Sequence, residues 1–333
     1  MEFSVISPLY FNKLTDRNVK REEELKYTVT VTPAGVEYSF PLVQEEVVRT
    51  LISEKEPIAF QAKRLKPDQA AKYAKQAEKL LSKYPFLKYY GLGKTVLMNA
   101  VQDRQYSIEK RFLIMNFMMK TIQNMMEKDG EKEISPFVAA FMQHPDRGDI
   151  IENFKEIRPN FTYSAMDGLS MLNSLPETPK FAKVRNAVFK RIGYAADRSD
   201  FGVKPFEDIK PEYIKIKKWF YEEYLRQGKE DSREYYIENV LVGFIWSMNL
   251  PYADFSLDIW DNFAFFNVLF NTLKVLLTLY VTEENGDDGF VEAVCALDES
   301  FRAVANGLAR TTVASLNDRG FNTNGDMAVL AMS

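Results

Sequence analysis

The sequence predicts a mainly α-helical protein, a multi-helix globular bundle with a small N-terminal β-hairpin element. Strict alternation of apolar and polar residues is confined to the first forty or so positions. From about residue 43 onward apolar residues recur instead at helical spacing. The composition, 46% hydrophobic and 27% charged over 333 residues, is that of a folded chain long enough for one large core or two ordinary domains.

Taken in order, residues 1–60 form the β-rich section. Phe3 to Ile6 adds a short strand. Leu25, Tyr27, Val29 and Val31 alternate with polar neighbours, Pro33-Ala34-Gly35 supplies a turn, and Val36, Tyr38 and Phe40 resume the alternation, which is a hairpin pattern. Val43 to Ser53 is a short helix. Pro67 suits the first turn of a better one, with Ala70, Tyr73, Ala74, Ala77, Leu80, Leu81 and Tyr84 on one face. Ser107 to Lys128 is apolar nearly all round, so its helix belongs at the centre of the fold. Further helices are expected at 135–143, 162–173, 179–195, 211–227, 231–248, 256–281 and 288–316. Asp129 to Lys132 and Glu283 to Gly289 read as solvated turns. The stretch from Asp197 to Pro211 reads as a linker between helical subdomains at 61–200 and 201–333, unless the whole is one compact domain. The tail after Gly320 reads as a poorly ordered end.

Composition limits the chemistry. A net charge of −4 selects no partner by itself, because local patches decide binding. One cysteine, Cys295, allows no internal disulfide, which fits a reducing, cytoplasmic setting. Met1-Glu2-Phe3-Ser4-Val5 lacks the basic stretch and apolar run of a secretory signal. Phe263 to Val281 is about as long as a membrane span, but Asn267, Asn271, Lys274 and Thr278 interrupt it, so a buried helix and no membrane span are expected.

Most candidate motifs reduce to ordinary structure. Gly91-Leu92-Gly93-Lys94-Thr95 resembles a phosphate loop, yet the first glycine of that motif should fall where Lys88 stands, so a glycine turn before a helix is expected. His144 is the one histidine and reads as a helix-terminal surface residue; a zinc site of His and Cys, and metal binding generally, are not expected. Cys295, among small apolar residues, reads as a buried thiol. Asn285 to Gly289 fails the spacing of a calcium loop, and Glu234 with Glu238 reads as a solvated pair. Two features carry more. From Lys63 to Lys94 nine basic residues oppose two acids, with aromatics at the end. Lys72, Lys75, Lys79, Lys83, Tyr89, Tyr90 and Lys94 could hold an anionic partner, although such lysines also form the wet face of a helix. The stripe Asn267, Asn271, Lys274 faces the surface or lines a pocket or interface, with the surface the first expectation.

Glu238-Asn239 opens an apolar helix that ends near Leu250-Pro251. Leu257-Asp258 then leads into the Phe263–Val281 helix, and Val291 to Arg302-Ala303 follows as an amphipathic block. This layout, with Pro85-Phe86-Leu87 followed by Leu92-Gly93, is similar to the flagellin lysine-N-methylase family over about a third of the chain. The resemblance implies an S-adenosylmethionine-dependent protein lysine methyltransferase. That family's clustered cysteines, consistent with an iron–sulfur centre, have no counterpart here, and no catalytic residue carries over.

Three functions follow as expectations. The first is a cytosolic accessory protein without catalytic activity or cofactor, binding another protein through the basic segment 63–94 or the polar stripe. The second is the S-adenosylmethionine-dependent methyltransferase. The third is nucleic-acid binding through residues 63–94.

Overall fold

A computed structural model of the chain describes residues 28–32, 35–39, 42, 44–58, 81–128, 130–144, 146–226, 232–248, 250–304 and 307–333. Thr28–Thr32 and Gly35–Ser39 have extended backbone, and the rest of the described chain is mainly helical. The helices are α1 (Glu45–Ser53), α2 (Tyr90–Val101), α3 (Ile108–Glu127), α4 (Glu131–Gln143), α5 (Gly148–Glu152), α6 (Phe161–Ser174) and α7 (Pro179–Arg191). After them come α8 (Phe206–Trp219), α9 (Glu234–Ser247), α10 (Ile259–Tyr280), α11 (Gly286–Ala303), α12 (Leu308–Asp318) and α13 (Asn324–Met332). Most of the helix expected from Pro67 lies outside the described residues.

The chain divides into two compact units. The first holds the described residues of 1–41, 54–155 and 241–264; the second holds those of 42–53, 156–240 and 265–333. In the first unit α3 packs against α2, α4 and α5, and Phe112, Ile114, Met115, Met118 and Met119 on it are fully buried, as a helix apolar all round requires. Buried Arg111 donates from Nη1 to the Val101 carbonyl (2.7 Å) and from Nε to that of Tyr106 (2.8 Å), so the last carbonyl of α2 and one in the turn after it both find a donor. Arg147 and Asp103 form an ion pair at 2.6 Å with both side chains 8% exposed.

One expectation fails in this unit. Gly91 to Thr95 lies inside α2 instead of forming a turn before a helix. Val96, Leu97, Ala100 and Val101 supply a buried helical face. Gly93 serves packing: a Cβ there would stand 2.9 Å from the Pro251 side chain, so the missing side chain lets the two approach.

In the second unit α7 packs on α11, α11 on α1, and α6 on α13 and α8. Side-chain caps start α6 and α7: Asn160 accepts from the Tyr163 N–H (3.0 Å), and Thr178 from that of Phe181 (3.4 Å). Three boundaries depart from the sequence reading. The helix expected at 288–316 is two helices, because Gly307 takes φ +118°, a left-handed conformation that suits glycine and ends the run. The helix expected from 211 begins at Phe206 and carries Pro211 within it. The tail is the ordered helix α13, not a loose end. Thr323 accepts from the Asp326 N–H (3.2 Å) and Asp326 accepts from that of Thr323 (2.9 Å), a reciprocal capping box. Met327, Ala328, Leu330 and Ala331 are then buried.

Candidate functional site

The second unit contains an open cleft of about 730 Å³. Its first wall comes from the end of α8, where Trp219 is followed by one turn of π-helix, Phe220–Leu225. Such widened turns are uncommon and recur at functional sites. This one buries Phe220 and Tyr224 while Trp219 stays half-buried on the cleft. The Tyr224 ring lies against both neighbours, 5.5 Å from Phe220 and 6.2 Å from Trp219, nearly parallel to each. The result is a fixed aromatic wall.

The opposite wall is the turn between α10 and α11. Arg191 donates to the carbonyls of Leu279 (2.9 Å) and Val281 (2.6 Å) at the end of α10. Asn285 then ties the turn together, accepting from the Thr282 N–H (2.8 Å) and donating to the Tyr280 carbonyl (3.0 Å). Its side chain folds so closely over α11 that a Cβ at Gly289 would come within 2.2–2.5 Å of its amide. Glycine at 289 is what leaves room for it.

Asp287 joins the two walls chemically. Its Oδ1 accepts from the Tyr224 hydroxyl (2.9 Å) and its Oδ2 from the Tyr236 hydroxyl (3.0 Å). Arg233 Nε stands 3.7 Å from Oδ1, and its Nη1 donates to the Tyr224 carbonyl (2.9 Å). Burial, then the Asp287 carboxylate, holds both phenols well above the usual tyrosine range, so they remain donors. Asp288 pairs with Arg49 at 2.6 Å. Glu223 and Glu283 are exposed at the rim. With the internal pairs discounted, the mouth is left negative beside an aromatic face.

The expected site residues lie elsewhere. Lys72, Lys75 and Lys79 are outside the described residues. Lys83 is exposed, with its ammonium 4.9 Å from the Tyr84 ring centroid, and Tyr89 is half-buried. The side chain of Tyr90 is likewise outside the described residues. Lys94 does not belong to a basic face, because it is fully buried and burial drives its ammonium well below the usual lysine range.

The polar stripe is internal, not on the surface: Asn267 and Asn271 are fully buried, Lys274 is 4% exposed and Thr278 1%. Partners in the second unit explain why. Asn271 accepts from the Ser164 hydroxyl (2.5 Å) and donates to the Ser164 carbonyl (2.9 Å). Lys274 donates to the carbonyls of Leu330 (3.0 Å) and Ala331 (2.9 Å) at the end of α13.

The two polar expectations from single residues hold: His144 is exposed at the end of α4 and Cys295 is buried, its thiol pushed up to about 12 by burial. Of the pair Glu234 and Glu238, Glu238 is fully buried and not solvated. Sequence reading missed the cleft. Glu283 to Gly289 looked like a solvated turn, and the aromatic run Trp219-Phe220-Tyr221 looked like part of a plain helix. The signal it held was aromatic density next to acids, Trp219 to Tyr224 and again Glu234 to Tyr236.

Residues 94–330 match the family described as the FliB lysine N-methylase C-terminal domain. The chain belongs to this family. No curated protein and no solved structure matches it. Within the FliB-type domain the match takes in every residue of the cleft, from Trp219 to Asp288. An iron–sulfur centre does not fit this FliB-type chain: such clusters are held by several cysteine thiolates, and the 333 residues hold one, buried. Among the described residues, no group of three or more His, Cys, Asp or Glu is placed to hold a metal ion.

Proposed function

We propose that this chain is a protein lysine methyltransferase that takes its methyl group from S-adenosylmethionine and works without an iron–sulfur centre. The observation that carries the reading is the match to the lysine N-methylase domain over residues 94–330, most of the chain. The cleft supports it, because the groups a methyl donor of that kind needs are present there. Trp219 offers an aromatic face for an adenine ring or for positive charge. Glu283, outside the internal pairs, offers acceptors for ribose hydroxyls, and the guanidinium of Arg233, with five N–H donors in all, has donors to spare for a carboxylate. A volume of about 730 Å³ is in the range of small-molecule sites. When bound, S-adenosylmethionine supplies a methyl group carried on a positively charged sulfur.

The chain's own residues supply recognition. The Tyr224 and Tyr236 hydroxyls hold Asp287 as a fixed acceptor, so it costs little reorganisation to use. Glu223 and Glu283 draw a lysine ammonium to the mouth.

The test is methyl transfer by the purified full chain, given isotopically labelled S-adenosylmethionine and lysine-rich polypeptides, with the product read by mass spectrometry. Label on lysine ε-nitrogens, unchanged by iron chelators, is the expected result. No label on any acceptor, together with no calorimetric binding at millimolar donor, overturns the proposal.

The proposed architecture includes the small hairpin of Thr28–Thr32 with Gly35–Ser39. The antiparallel register that pairs Val29 with Tyr38 and Val31 with Val36 supports it. Alternating slow and fast amide exchange along both segments is expected, and uniformly fast exchange would remove the hairpin.

A further inference from the structure

Arg185 on α7 is a charge taken out of water and left short of acceptors. Its side chain is 2% exposed. Nη1 reaches the Leu175 carbonyl at a long 3.4 Å. Glu177 Oε2 stands 2.9 Å from Nη2 but off the direction of its N–H bonds, and neither Nη2 nor Nε makes a hydrogen bond. Buried donors on a charged group are costly to leave unpaired, so Arg185 calls for a better acceptor than Glu177 provides.

A second guanidinium comes to the same place. Arg198 has a left-handed backbone, φ +62°, which is uncommon for a residue with a side chain. A tight turn fixes it there. Its N–H donates to the Ala195 carbonyl (2.9 Å), and the Ala195 N–H donates to Asp200 (2.8 Å). From this turn Arg198 Nη1 donates to Oδ1 of Asn186 (2.7 Å), the residue after Arg185. Burial, then the Arg185 charge, hold the Arg198 guanidinium below the usual arginine range, and Glu177 opposes this. Asp197, the other acid beside it, is engaged by the Ser199 N–H (3.1 Å) and hydroxyl (2.8 Å). The Glu177 carboxylate, on a side chain 62% exposed, is therefore the group that two guanidinia share. Two guanidinium forks present more donors than one carboxylate accepts. A phosphoryl group, with at least three oxygens and about two charges, matches them better.

We propose that Arg185, Arg198 and Asn186 form a binding site for a phosphate-type oxyanion, which displaces the Glu177 carboxylate. The site shares no residue with the cleft and does not depend on the methyltransferase reading.

The experiment is calorimetric titration of the full chain with inorganic phosphate, glycerol 3-phosphate and acetate at fixed ionic strength. Phosphate is expected to bind about tenfold tighter than acetate, since it bonds both forks. Arg198→Asn, which tolerates the left-handed backbone, is expected to weaken phosphate about tenfold by removing one fork. Glu177→Gln, at an exposed site, is expected to strengthen phosphate binding several-fold, because the competing carboxylate is gone. An ion pair of purely structural value would lose stability in Glu177→Gln and gain no anion affinity, and that result overturns the inference. No phosphate binding in either the parent or Glu177→Gln overturns it as well. So does binding that Arg198→Asn leaves unchanged, which places the anion elsewhere, and so does acetate bound as tightly as phosphate. Glycerol 3-phosphate matching inorganic phosphate assigns the site to phosphate esters, whereas binding of inorganic phosphate alone assigns it to the free ion.

Discussion

Asp167 shows how far a single buried group can bias a structure. It lies on α6 with its side chain 6% exposed, beside Arg319 at 3.1 Å. Burial raises its carboxyl above the usual range, and Arg319 only partly opposes this. A carboxyl raised in the folded state binds its proton more tightly there than in the unfolded chain. Its contribution is therefore complete below the unfolded value, near pH 4, and is lost as pH rises through the folded value. In Asp167→Asn that dependence is absent. The melting temperature of the parent, measured relative to the variant, is expected to be highest near pH 4 and to fall towards neutrality; a difference independent of pH refutes the assignment. Lys274 is the companion case. Replacing it with methionine strands the carbonyls of Leu330 and Ala331, at an expected cost of about 1–3 kcal/mol in urea unfolding. Neither role was legible in the sequence, where Asn271 and Lys274 read as a surface stripe. Periodicity places a polar residue on a helix face but does not say whether another element covers that face.

Elements were the scale at which the sequence spoke most clearly. The all-round apolar pattern of α3, the helix α7 and the long apolar α10 all stand where spacing put them. The boundaries that slipped were set by local chemistry. Gly307 divides one expected helix, and the Thr323–Asp326 box, visible as a four-residue pattern, starts a helix where a loose end was read. Removing that cap with Thr323→Ala is expected to cost about 0.5–2 kcal/mol and to speed amide exchange in α13 first. Helix packing gives a sharper test. A Cβ at Gly168 would fall 2.6 Å from Val275 Cγ2, so α6 and α10 meet at a point that tolerates no methyl group. Gly168→Ala is expected to destabilise by about 1–3 kcal/mol. Adding Val275→Ala should recover part of that loss, because the two changes share one contact; strict additivity in denaturant midpoints would argue against the steric account.

For the molecule as a whole, composition and hydropathy set the class but not the site. The apolar window of α10 is long enough to cross a membrane, yet all of it is buried within the protein. The cleft unites Tyr224 with Asp287, 63 residues apart, and no one-dimensional pattern reveals that meeting. Family membership was legible earlier than the site, because a domain-long pattern accumulates many weak agreements while a cleft depends on a few contacts.

Cys295 has a practical use at this scale. It is the chain's one thiol, sits on α11 in the second unit, and is 1% exposed with its ionisation held back. A thiol reagent can therefore reach it only when that unit opens, which makes the rate of alkylation a clock for native-state opening. Every substitution considered above in α6, α10 or α13 can be ranked by one mass measurement over time, with no label added and no second cysteine to confuse the reading.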